Sequence, residues 1–182
     1  MKRLYLAMIA VLSVQLALAQ YHVENDKSTL IIMGSSNLTD WNQFVDDIHA
    51  TLDVEQKGST ILAVNSLDII IPVEAIKSGQ HAMDENAYKA LKGKDFPLIT
   101  YRLLESSISN TDVTLRGIIN VAGEEKEIEI HTTYSSTSRL LVLSGELKLK
   151  MTDFGIEPPS ALMGVMKTND DLLLEFSLVF ER

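Results

Sequence analysis

The chain has no cysteine among its 182 residues. That excludes disulfides, thiol nucleophiles, thiolate metal sites and a lipid anchor attached through an N-terminal cysteine. Stability must therefore come from a buried core, which a chain of this length can form as one domain. Positive charge is scarce: 16 Lys and Arg stand against 25 Asp and Glu, a formal net charge of −9. Such a balance argues against nucleic acid and anionic membrane surfaces as electrostatic partners. Catalytic motifs are missing too. There is no Gly-x-Ser-x-Gly elbow, no P-loop and no His-Glu-x-x-His. The carboxylates are many but nominate no catalytic pair, so the chain does not read as an enzyme. His22, His49, His81 and His131 fall at no metal-like spacing, and no metal or cofactor is implied.

Long apolar runs are equally rare, and the one present lies at the N-terminus. Lys2 and Arg3 precede Leu4–Leu16, which only Ser13 and Gln15 interrupt, and Ala17-Leu18-Ala19 follows. The pattern is that of a signal peptide, residues 1–19, cut before Gln20. The run is short for a bilayer span and has no basic flank after it, so the mature chain should keep no membrane span. Loss of Lys2 and Arg3 leaves 14 basic residues against 25 acidic, a net charge of about −11.

What remains alternates. Leu172, Leu174, Phe176, Leu178 and Phe180 share one face of a strand, and Leu141, Leu143, Gly145, Leu147, Leu149 and Met151 share another. Ile128, Ile130 and Thr132 repeat the pattern against Glu127, Glu129 and His131. Further strands are expected at Leu30–Met33, Phe44–Val54, Leu67–Val73, Leu98–Leu104 and Val113–Val121, with turns at Gly58-Ser59, 109–112, Gly123-Glu124 and 168–170. About eight antiparallel strands, each with one apolar face, give an all-β fold, a closed barrel or a sandwich. Closure removes the sheet edges.

One helix breaks the pattern, expected over Asp84–Lys92. Tyr88, Leu91 and Ala87 form its apolar stripe, Asp84 and Glu85 open it, and Gly93 stands past its end. Pro97 then biases Phe96 to extended backbone. So short a helix must dock, and the mouth of a barrel is the natural place, with Phe96 tucked under the corner.

The motifs Lys77-Ser78-Gly79, Met83-Asp84, Tyr88-Lys89-Ala90-Leu91 and Phe96-Pro97-Leu98-Ile99-Thr100-Tyr101 resemble the YceI family of exported lipocalin-like proteins. Four further pieces agree in order: Ser28-Thr29-Leu30, Gly34–Trp41, Leu115-Arg116-Gly117 and Met151–Ile156. Thr39 stands where the family often has histidine, and Arg116 where a small or polar residue is usual. The resemblance covers residues 20–182 as a single domain. It implies an eight-stranded antiparallel lipocalin-like barrel that holds an apolar chain: an isoprenoid quinone, a polyprenyl or a fatty-acyl group. It also implies export to the periplasm or secretion, and the family's habit of pairing makes a homodimer a candidate assembly, with Met163–Met166 as a candidate interface.

The expected pocket residues are Tyr88, Leu91, Phe96, Tyr101, Leu143, Leu147, Leu174 and Phe176. Each assignment depends on register, since a slip of one residue turns a strand's face over. Arg102, Arg116, Lys92 and Lys94 are candidates to meet a polar head at the mouth, against the plainer reading of solvated surface charge. Trp41, the sole tryptophan, reads as a core or rim aromatic. The rival account is a barrel packed solid, acting as a protein–protein interaction module through loops such as Ser35–Trp41 or Phe154–Met163.

Overall fold

The computed structural model describes residues 19–161 and 164–182. The expected signal peptide, apart from Ala19, and the candidate interface residue Met163 lie outside them. Among the described residues twelve strands run in chain order: β1 Ala19–Val23, β2 Thr29–Ser36, β3 Asp40–Val45, β4 His49–Lys57, β5 Thr60–Pro72, β6 Ile76–Lys77, β7 Leu98–Ser109, β8 Asp112–Val121, β9 Glu124–Ser136, β10 Leu140–Lys150, β11 Ser160–Ala161 and β12 Met166–Glu181. The helix, α1, spans His81–Ala90.

Eight of these strands close an antiparallel barrel in the order β1-β4-β5-β7-β8-β9-β10-β12. Its seam is the pairing of β1 with both neighbours, Tyr21 opposite Leu52 and Val23 opposite Phe180. Alternation sets the faces as expected. Along β8 the inward residues Val113, Leu115, Ile119 and Val121 are buried and the outward ones are not.

Tight turns join the strands because the sequence supplies residues that accept a left-handed backbone. Ala122 and Gly123, with φ of 53° and 86°, form a two-residue turn between β8 and β9. Asn110, at φ 57°, does the same between β7 and β8. The turn expected at 168–170 is different: β12 runs straight through it. The irregularity in its pairing with β2 falls between Thr168 and Leu172, and Asp170 instead accepts bonds from the backbone N–H and hydroxyl of Thr152. The single strand expected over Phe44–Val54 is two, β3 and β4, separated at residues 46–48.

At one end β2, β3 and β6 leave the barrel as a flap that leads into α1. The helix begins three residues before its expected start. Asp84 is therefore not at the N-terminus but in the first turn, where it accepts from the backbone N–H and the hydroxyl of Ser78 at 2.7 and 2.6 Å. Those bonds, the hydroxyl's above all, hold its carboxyl below the ordinary value of 3.8. The helix end is also rearranged. Lys92, not Gly93, takes the left-handed position at φ 52°. The N–H groups of Lys92 and Gly93 then return to the carbonyls of Lys89 and Tyr88 at 3.1 and 2.8 Å. Gly93 is required for a different reason: a Cβ there would come within 2.9 Å of Val73 Cγ1.

Candidate functional site

Below α1 the barrel is hollow. A cavity of about 820 Å³ is lined by α1 and the barrel strands, near the upper end of what small-molecule sites enclose. Its floor is a packed layer in which Tyr21, Leu52, Val113, Leu141 and Phe180 are each no more than 2% exposed. Above that layer the wall is aliphatic: Leu115, Ile130, Leu143 and Leu178 low down, then Ile69, Ile119, Leu147 and Leu174, then Ile71, Leu149 and Leu172. The height of each follows from the strand pairing, which sets Leu143 opposite Leu178 and Leu149 opposite Leu172.

The barrel is therefore not packed solid. Two glycines in the barrel strands lie against aromatic rings. At Gly145 an added Cβ would lie 3.0 Å from the Phe176 ring, and at Gly117 it would meet the Tyr101 ring at 2.6 Å. At both positions the nearest atom is a backbone carbonyl, of His131 at 2.7 Å and of Arg102 at 2.5 Å, so each glycine also permits a close approach of neighbouring strands.

Six of the eight expected residues line the cavity: Leu91, Tyr101, Leu143, Leu147, Leu174 and Phe176. Tyr88 and Phe96 do not. Tyr88 faces away from the interior. Its hydroxyl accepts from Lys77 Nζ at 2.9 Å and lies 3.0 and 3.1 Å from the carbonyls of Ile76 and Glu74, which share its single proton. It anchors the helix to the segment before it. The helical face over the cavity is made of smaller side chains instead, Ala82, Met83, Asn86, Ala87 and Ala90, at the spacing of one helical stripe. Phe96 is 41% exposed and lies across Gly123 at the β8–β9 turn, outside the barrel.

The rim is polar. Ser36, Thr39, Asn42, Gln80 and Thr168 border the opening, and among the described residues Asp40 and Lys150 are the charged side chains that line it. The basic residues nominated for a head group are elsewhere. Arg102 pairs with Asp68 at 3.2 Å on the outer surface, and Arg116 binds Glu105 and, at 2.7 Å, Glu127. Lys92 and Lys94 are exposed and do not line the cavity. Lys150 was not among the basic residues expected there. Trp41 lines the cavity near the rim, its indole against Gly34. Phe154 is 3% exposed and closes part of the wall with Met151 and Ile156.

No group of three or more His, Asp or Glu side chains that could hold a metal occurs among the described residues. Nor does any described helix have the length and apolarity to cross a membrane.

A family model for the YceI-like domain matches residues 21–180. The chain belongs to the YceI family. Solved structures of similar fold include BcnA of Burkholderia cenocepacia, at 14% identity and a TM-score of 0.73 over 86% of this chain and 98% of that one. A polyisoprenoid binding domain from Saccharophagus degradans, implicated in plant cell wall breakdown, aligns at 12% identity and 0.69 over 91% and 99%. The Campylobacter jejuni YCEI protein aligns at 17% identity and 0.64 over 100% and 99%. At such identities the likeness speaks for the fold. A comparison with curated protein sequences found no match. The hollow, helix-covered interior is thus set in a YceI-family barrel.

Proposed function

We propose that this YceI-family protein is an exported, non-catalytic carrier that holds a single apolar chain, isoprenoid or fatty-acyl, inside its barrel. The observation that carries the reading is the 820 Å³ aliphatic cavity under α1. A void of that size and lining, kept in a fold without disulfides, forgoes the dispersion contacts a filled core would gain, and an apolar guest restores them. The polyisoprenoid-binding neighbour supports the same reading. Binding needs no ion pair. Ten methylene equivalents removed from water at about 0.8 kcal/mol each give roughly 8 kcal/mol, near micromolar affinity before ordering costs. The N-terminal run at residues 4–16 supports delivery to the periplasm or the exterior. The rival, an interaction module with a filled core, requires an interior this barrel lacks.

The test is to express the full chain in a bacterial host, purify the exported protein without detergent, and extract it with organic solvent for mass spectrometry. A stoichiometric quinone, polyprenyl or fatty-acyl species is expected. If the extract is clean and added isoprenoids and fatty acids fail to bind in titration, the carrier reading is wrong.

A further inference from the structure

The two most exposed large apolar side chains among the described residues are Leu38, at 58%, and Val165, at 64%. They come from different segments, the turn between β2 and β3 and the turn before β12, yet those turns are tied together. The Asn37 side chain donates to the Val165 carbonyl at 3.0 Å and accepts from the Lys167 N–H at 2.8 Å. Its backbone N–H donates to the Lys167 carbonyl at 3.0 Å. The Leu38 turn is also closed on itself. The Ser36 hydroxyl accepts from the N–H groups of Leu38 and Thr39 at 3.2 and 3.1 Å, and the Ser36 N–H donates to the Thr39 carbonyl at 2.8 Å. A hydrogen-bonded turn therefore holds Leu38 outward, at a position where a polar residue would serve the turn equally well.

Both tips adjoin the place where the cavity meets water. Its wall is aliphatic, and its solvent-exposed lining residues include Thr39, Asp40, Gln80, Lys150 and Ser160. Thr39 follows Leu38 directly, and Met166, which also lines the cavity, follows Val165. Most other exposed large hydrophobics lie along β3, β5 and β7, where alternation turns every second side chain outward. Leu38 and Val165 lie in turns, where nothing of that kind requires them.

Single exposed apolar residues are ordinary; two tied together beside an apolar cavity are not. A specific protein partner, or a second copy, needs about 800 Å² on each side, far more than two turn tips present. A lipid bilayer needs only tips that can enter its head-group layer. It also answers a difficulty of the cavity itself. Cargo passing through water would give up all the burial that holds it, and a mouth seated on the membrane removes that step. Charge selects the surface: a formal net charge of −9 disfavours anionic lipid and leaves a zwitterionic one.

We propose that the Leu38 and Val165 turns form a docking lip that seats the cavity mouth on a zwitterionic bilayer, so that cargo passes between membrane and barrel without crossing water. This rests on the carrier reading above and adds where the loading takes place.

The chain has no cysteine, so Leu38→Cys accepts one environment-sensitive dye with no competing site. Leu62→Cys, on β5 away from Ile69 and Ile71 of the cavity wall, carries the same dye as a control. Phosphatidylcholine vesicles should shift the dye at residue 38 to the blue and leave the dye at 62 unchanged. Vesicles enriched in phosphatidylglycerol should give a smaller shift. The double variant Leu38→Asp, Val165→Asp should float with the vesicles at least about tenfold less than wild type. Its affinity for a fluorescent fatty acid in vesicle-free buffer should stay within about twofold, which reports an intact cavity. Transfer of that lipid to vesicles should quicken with vesicle concentration in wild type and become independent of it in the variant. An unchanged dye at 38, or an equal shift at 62, would overturn the proposal. So would stronger docking on the anionic vesicles, or a shift that follows protein concentration without vesicles and marks a contact between copies. If the fatty acid binds but docking fails, the lip is wrong and the carrier reading survives. If the protein docks but binds neither fatty acids nor isoprenoids, the carrier reading falls and the lip is upheld as a membrane contact.

Discussion

Along β10 the inward leucines have two fates. Leu141 is sealed in the floor at 1% exposure and Leu143, at 2%, borders only the bottom of the cavity, whereas Leu147 and Leu149, on the same face of the same strand, are half-buried around it. The residue type and the spacing do not differ. What differs is what stands across the barrel. At the floor, Tyr21, Leu52 and Phe180 reach in and fill the interior. At the mouth, the facing residues are short aliphatics and the alanines of α1, which cannot span it. Facing inward is decided strand by strand, by alternation. Being packed is decided across the barrel, by the summed volume of side chains from strands far apart in sequence.

The contrast predicts unequal costs. The largest should come from Phe180→Ala, which empties a fully buried aromatic site in the floor and should cost about 3–5 kcal/mol, seen as a lower urea midpoint at unchanged slope. If that variant is no less stable than wild type, the floor is not the core. Asp84→Asn should be intermediate, removing the charged acceptor that ties α1 to Ser78 at about 1–2 kcal/mol. It also has a pH signature. Because the folded carboxyl is held below its ordinary 3.8, its contribution is fully present above that value and is lost as pH falls through the folded pKa. Amide exchange over residues 81–90 should accelerate in that acid range in wild type, and Asp84→Asn should remove the change. Leu147→Ala should cost under about 1 kcal/mol in the empty protein, since its side chain already borders open space, yet weaken an apolar ligand. A floor-sized loss at Leu147 would erase the distinction between the two halves. Smallest of all, Phe96→Ala should shift the thermal midpoint by a degree or two, because that ring is 41% exposed and covers only a turn.

Much of this was legible in the sequence. Period-2 patterns in β10 and β12 named the inward faces correctly, and with them Leu143, Leu147, Leu174 and Phe176 as cavity-facing residues. Two aromatics were misplaced for physical reasons. Tyr88 has both an apolar ring and a hydroxyl, and three polar groups of the 74–77 segment captured the hydroxyl. A stripe drawn through large residues therefore missed the alanine face that looks into the barrel. Phe96 follows a left-handed turn at Lys92 that no propensity announces, and it ends on the outer side of the corner. The turn expected at 168–170 failed because Asp170 found its partner at Thr152, a contact between segments that local pattern cannot see. The size of the cavity was not legible at all, being a property of the whole ring of strands.

The seam of the barrel has a consequence for how the molecule is made. Closure sets residue 23 beside residue 180, and β12 contacts β1, β2 and β10. Until β12 has emerged and found its place, β10 presents a bare edge and the greasy interior stands open on one side. Folding is thus a late event for this chain, waiting on its most distant contacts and slow in the way high contact order imposes. During that interval the unfinished sheet is an adhesive surface, and the protein most depends on whatever keeps it from its neighbours.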